Sequence, residues 1–190
     1  MILQRTGPST STPLRPICDL RVLDHFVLEA LDTQKALRGC KAGCTVTALF
    51  AVPPTSVDFV VWETKDVGAQ VEEVWWGLSL LSQALAAVST SVSNPVLQDL
   101  LASDRRNLQS LGQVLRSLHF QGLSSAPASA DHHTPAPASV DHHTPAPASA
   151  DHHTPRLSSL PELLAVHINF LRGKVRLLLA HAPACQQRAS

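Results

Sequence analysis

VGAQVEEVWWGLSLLSQALAAV, residues 67–88, decides the fold. Its apolar positions Val67, Val71, Val74, Trp75, Leu78, Leu81, Leu85 and Val88 advance by three and four residues without a proline, which predicts an amphipathic helix. At 1.5 Å per residue it spans roughly 30 Å, so any segment that returns along it needs a comparable reach. Trp75 and Trp76 are neighbours and cannot both point inward; core packing accounts for Trp75 without any ligand.

Working outward, the connection to the next helix is about six residues, short enough to force an antiparallel neighbour. Asn94 and Pro95 supply its N-cap and first-turn proline, and Leu97, Leu100, Leu101, Leu108, Leu111, Leu115 and Leu118 its stripe. Upstream, Asp19 caps a helix carrying Leu20, Leu23, Val27 and Leu31 that ends before Gly39. Downstream, Ser159 and Glu162 have capping-box spacing ahead of Leu160, Leu164, Leu171, Val175 and Leu178.

The first and third connections run roughly 28 and 40 residues, enough to pass back along a helix. The expectation is all-α: an up-up-down-down four-helix bundle with two long crossover loops and two disulfides. In the first crossover, Val57, Phe59 and Val61 alternate with Asp58, Val60 and Trp62, which suggests a short extended piece.

Residues 1–15, rich in Ser, Thr and Pro, read as a flexible tail before a domain at 16–185. Within that domain, 124–155 reads as a disordered linker built on APASADHHTP (126–135), APASVDHHTP (136–145) and APASADHHTP (146–155). Its recurring prolines exclude a helix or a central strand. Its His-His pairs, His132 with His133, His142 with His143 and His152 with His153, have the chemistry to bind Zn, Cu or Ni weakly, but repeat expansion explains them without a metal.

The whole chain of 190 residues carries 15 basic and 15 acidic side chains, which removes the field of a general nucleic-acid or anionic-membrane binder. No apolar run is long enough for membrane insertion, and no leader peptide is visible. Without a phosphate loop, HExxH, GxSxG or paired carboxylates, the reading is no enzyme, no catalytic residue, no cofactor and no resident metal.

Cys18 precedes the first helix and Cys185 follows the fourth, and in the expected topology those ends meet; Cys40 and Cys44 lie in one Gly-containing turn. The expected pairs are therefore Cys18 with Cys185 and Cys40 with Cys44, placing the chain in an oxidising, extracellular setting. On the fourth helix Asn169, Arg172, Gly173 and Arg176 form one stripe beside the leucines, in which a mid-helix Gly is tolerated where another backbone approaches. His25 and His167 fall on helices, where partial burial or a surface contact explains them better than a metal does.

ICDLRVL (17–23), GCKAGC (39–44), VPPTSVDFVVW (52–62), DVGAQVEEVWWGLSLL (66–81) and NFLRGK (169–174) together resemble the erythropoietin/thrombopoietin family of helical cytokines. The resemblance implies a secreted, monomeric hormone that dimerises two copies of an erythropoietin-type receptor, activates Janus kinase/STAT signalling and promotes erythroid precursor survival, proliferation and differentiation. It implies a first receptor face of Thr55, Ser56, Val57, Asp58, Phe59, Asn169, Arg172, Gly173, Arg176 and Leu177, and a second of Val22, His25, Phe26, Arg106, Ser110 and Val114. His25, Ser56, Gln109 and Ala165 stand where the family usually has basic residues, so the faces transfer better than the individual side chains. No Asn-x-Ser/Thr occurs, while the repeats supply Ser and Thr for O-glycans. A thrombopoietin-like ligand and a His-rich metal-binding secreted protein are the alternatives.

Overall fold

The computed structural model describes residues 19–124 and 154–182, with side chains described only as far as Arg116 in the third bundle helix. The four bundle helices are α1 (Leu20–Gly39), α3 (Val67–Ser91), α4 (Pro95–Ser124), and a last one built from α5 (Leu160–Phe170), a π-helical turn at Leu171–Val175 and α6 (Arg176–His181). A short helix, α2 (Phe59–Thr64), and two short strands, β1 (Phe50–Ala51) and β2 (Arg156–Leu157), lie in the crossovers.

Local chemistry sets most of the helix starts. Asp19 accepts a hydrogen bond from the Arg21 amide at 2.9 Å, Asp66 from Ala69 at 2.8 Å and Asn94 from Leu97 at 3.0 Å, each satisfying a first-turn donor. The expected capping box at Ser159 does not form: its side chain makes no cap hydrogen bond, and Pro161 presets the first-turn dihedrals instead. The first helix runs one residue past the expected end, through Gly39, and stops where Cys40 turns extended. The connection between α3 and α4 is Val92–Asn94, half the expected length.

Three contacts fix the topology. The disulfide turn after α1 reaches the α3–α4 junction, where the Gly43 carbonyl accepts from the amides of Ser93 at 3.0 Å and Asn94 at 3.1 Å. Hence α1 and α3 end at the same pole and α4 begins there. Asp24, early in α1, pairs with Arg176, late in the last helix, so the last helix runs against α1. β1 pairs antiparallel with β2, Phe50 opposite Leu157 and Ala51 opposite Arg156, tying one crossover to the other. The bundle is therefore up-up-down-down.

Cys40 and Cys44 form the expected disulfide, Cα atoms 6.3 Å apart. Gly43 takes φ +74°, and a Cβ there would lie 2.5 Å from Ser93 Oγ and 2.9 Å from the Asn94 nitrogen. Only glycine suits both the dihedral and the space. Cys18, Cys185 and the tail at 1–15 lie outside the described residues, as do 125–153 of the linker. Its end is described: the Pro155 carbonyl accepts from the Val52 amide at 2.9 Å, directly before the short strand at Arg156–Leu157.

The core is Leu and Val from all four bundle helices, with Phe50, Val52 and Trp62 from the first crossover. Within the opening stretch Val71, Val74, Leu78, Leu81, Leu85 and Val88 are buried, but Trp75 is 40% exposed, with the Arg116 guanidinium 5.9 Å from its ring centroid. The inward place falls to Gly77, because the Phe170 ring fills the space where a Cβ would stand, 2.2 Å from Cζ. That aromatic needs a bare backbone opposite it, and the α3 surface turns accordingly. Among the described residues no helix is long and apolar enough to cross a membrane.

Candidate receptor-binding faces

The first expected face starts at Asp58. Its carboxylate accepts from the amides of Val60 at 3.0 Å and Val61 at 3.2 Å, which winds residues 59–64 into α2 in place of the extended piece that the alternation suggested. The alternation is misleading because Trp62 alone turns inward, at 5% exposure, and its carbonyl accepts from Gln70 Nε2 at 2.9 Å. Phe59, Val60 and Val61 are pushed into solvent at 62%, 74% and 50%. Three consecutive apolar residues of one short helix are thus left in solvent.

The last helix supplies the other half. In its π-helical turn the Arg176 amide reaches the Leu171 carbonyl, five residues back, so the stripe inferred from uniform helical spacing is locally unwound. Leu171, Lys174 and Val175 go inside, Asn169 and Arg172 stay exposed, and Gly173 is half-buried. The Thr55 carbonyl lies 3.7 Å from where a Gly173 Cβ would be, so the crossover and the π turn form one surface. That distance is ordinary contact, and an alanine would fit. Ser56 is exposed and Val57 half-buried beside Thr55, whereas Leu177 packs partly against the core. Arg176 is engaged with Asp24, so it faces α1 rather than standing free beside Arg172.

A charged cluster beneath this surface was not visible in sequence. Glu73 of α3 accepts from Lys174 of the π turn at 2.6 Å and from Lys65, which caps the C-terminus of α2. Burial pushes the Glu73 carboxyl up, but the hydrogen bonds and charges of Lys174 and Lys65 outweigh it and hold it below the usual carboxylate range. Residues 101 positions apart offer no spacing signal; an acid beside buried Val74 and a lysine beside buried Val175 were the only hints.

The second expected face lies on α1 and α4. Val22, Phe26, Ser110 and Val114 line one small cleft of about 30 Å³, with Leu23, Leu111 and Leu179 at its base. His25 is exposed, 3.6 Å from Glu29, with its ring centroid 6.4 Å from that of Phe26. Arg106 is exposed one turn away, its carbonyl accepting from the Ser110 hydroxyl at 3.0 Å. Along the same seam Glu29 accepts from Asn107, and Asp104 is buried at 1% exposure.

Among the described residues neither Asp104 oxygen has a hydrogen-bond partner. Burial raises its pKa to about 7; the Thr33 hydroxyl opposes this only in part, its proton being given to the Glu29 carbonyl at 3.2 Å, and the Glu29 charge adds to the rise. His167 is also buried without a partner among the described residues, and burial lowers it to about 4. It is a core histidine, and His25 a surface one. No group of three His, Cys, Asp or Glu placed to hold a metal occurs among the described residues.

The family profile described as Erythropoietin/thrombopoietin matches residues 15–188. Erythropoietin of Tetraodon nigroviridis is 46% identical over 190 residues, covering 100% of this chain and 95% of the relative. Erythropoietin of Danio rerio is 44% identical over 190 residues, 100% of this chain and 93% of the relative. Erythropoietin of Bos mutus grunniens is 34% identical over 180 residues, 92% and 86% of the two chains.

Proposed function

Because the chain belongs to the erythropoietin/thrombopoietin family, and is thus a cytokine hormone and not an enzyme, we propose that it acts outside the cell by bringing two copies of an erythropoietin-type receptor together. The paired receptors then activate Janus kinase/STAT signalling and drive survival, proliferation and differentiation of red-cell precursors. Two surfaces of different character support this reading. The first combines an apolar helix, Phe59–Val60–Val61, with the exposed Arg172 of the π turn, a composition suited to a high-affinity anchor. The second, around Val22, Phe26, Ser110 and Val114, is a small cleft with the exposed His25 and Arg106 on the same two helices, suited to a weaker contact.

The observation that carries the proposal is the solvent exposure of Phe59, Val60 and Val61 on α2, a helix capped by Asp58 and anchored by the buried Trp62. Arg172→Glu in the adjoining π turn reverses a charge and is expected to weaken receptor-ectodomain binding by at least about 2 kcal/mol. Ser110→Arg in the second cleft is expected to leave binding of one receptor intact while abolishing signalling in receptor-bearing cells. Equal loss of first-receptor affinity in both variants contradicts two separate faces. The erythropoietin-type assignment over the thrombopoietin-like one follows the relatives described above; proliferation of cells bearing one receptor or the other decides it.

A further inference from the structure

We propose that Glu73 is the positioning residue of the first receptor face: by binding Lys65 and Lys174 together it sets the angle at which α2 stands over the π turn. The proposal rests on that face being a receptor contact.

Several observations converge on Glu73. At six residues α2 is too short to persist as an isolated helix, so its orientation depends on its tethers. Its C-terminal half is anchored by the buried Trp62 and by Gln70, whose Nε2 donates to the carbonyls of Trp62 at 2.9 Å and Lys65 at 3.4 Å, which leaves the Lys65 side chain as the remaining link to the π turn. The rest of α2 is not packed flush on the bundle: a cleft of about 250 Å³, lined by Ser56, Val61, Trp62, Lys65, Glu73 and Lys174, lies beneath it. What spans this cleft is charge. Lys174 is 5% exposed, and a buried ammonium of this kind requires an acceptor, which Glu73 provides at 2.6 Å.

The second oxygen of the same carboxylate takes Lys65, the residue on which α2 ends, at 34% side-chain exposure. One carboxylate thus joins the terminus of the Phe59 helix to the turn that presents Arg172. Because Lys174 holds Glu73 from below, Glu73 is a fixed point against which Lys65 is placed. Preordering α2 removes part of the ordering cost that docking would otherwise carry.

The test uses the full-length, disulfide-bonded protein with Lys65→Gln, Glu73→Gln and the double substitution. Lys65 is the informative site, since its removal leaves the Glu73–Lys174 pair in place and the melting temperature nearly unchanged. Amide exchange of residues 60–64 is expected to rise about 3- to 10-fold in Lys65→Gln, and affinity for the receptor ectodomain to fall by a similar factor. The double variant is expected to bind no more weakly than Glu73→Gln alone, because both substitutions break one device. Additive losses would mean that Lys65 touches the receptor itself and would overturn the proposal. Unchanged exchange and affinity in Lys65→Gln, alongside a loss in Phe59→Ala, would sink the positioning role while leaving the face intact. Unchanged affinity in Phe59→Ala would sink the face, and with it the role assigned to Glu73.

Discussion

Asp104→Asn is expected to stabilise the protein at neutral pH and to leave it unchanged near pH 4. The carboxyl sits at 1% exposure between α4 and α1, and burial moves it from an ordinary 3.8 to about 7. The folded state therefore prefers the proton. Its contribution is complete below the unfolded pKa near 4, is lost progressively as pH rises toward 7, and is flat above that. Three pKa units at about 1.4 kcal/mol each set a ceiling of about 4 kcal/mol for the cost of ionising Asp104 in place. Water entering the seam reduces this, so a gap of roughly 2–4 kcal/mol between the variants at pH 7.5 is expected. For a chain of this length that corresponds to a melting shift of roughly 5–15 °C.

Asn is neutral throughout and close in shape, so it tracks the protonated acid. His167 acts in the opposite sense: its folded pKa of about 4 lies below the usual 6.5, so its contribution is lost as pH falls between those values. Since both proteins carry His167, their difference isolates Asp104. Denaturant unfolding of the two at pH 4.0, 5.5 and 7.5 should show a gap that opens with pH. A gap independent of pH, or an Asn variant less stable at pH 7.5, would show that Asp104 is not held protonated by its burial.

Gly77→Ala places a methyl 2.2 Å from Phe170 Cζ and is expected to cost about 1–3 kcal/mol despite the better helix propensity of Ala; Phe170→Leu in the same chain should recover part of the loss, measured by a thermal-melt double-mutant cycle. Gly43→Ala, strained at φ +74° and crowded by Ser93 and Asn94, is expected to lower the melting temperature and to speed amide exchange at those two residues. Gly173→Ala, by contrast, meets nothing nearer than the Thr55 carbonyl at 3.7 Å, so the free protein should lose no stability, and any drop in receptor affinity reports on the interface alone. Arg176→Ala removes a largely solvated pair with Asp24 and should change stability by less than about 1 kcal/mol in equilibrium unfolding.

The four bundle helices and their directions were legible because each carries apolar residues at helical spacing, and because the lengths of the connections admit few topologies. Asp19, Asp66 and Asn94 behave as local rules require. What misled the sequence reading was tertiary. Val57–Trp62 alternates like a strand, yet one buried indole and one Asp cap make it a helix. Trp75 belongs to the apolar stripe by spacing, yet Phe170 from another helix claims the neighbouring space at Gly77.

For the candidate faces, only the placement of residues was legible. Thr55 and Gly173 do meet, and Val22, Phe26, Ser110 and Val114 do share a cleft. The π turn, the engagement of Arg176 by Asp24 and the clustering of Lys65, Glu73 and Lys174 depend on which helices touch, and no local pattern encodes them.

Hydrogen–deuterium exchange of the protein with and without one equivalent of receptor ectodomain locates the first receptor contact on the chain. Protection confined to residues 55–61 and 169–177 is the predicted footprint. Protection centred instead on the α3–α4 surface around Trp75 and Arg116, with those two segments unchanged, would contradict it.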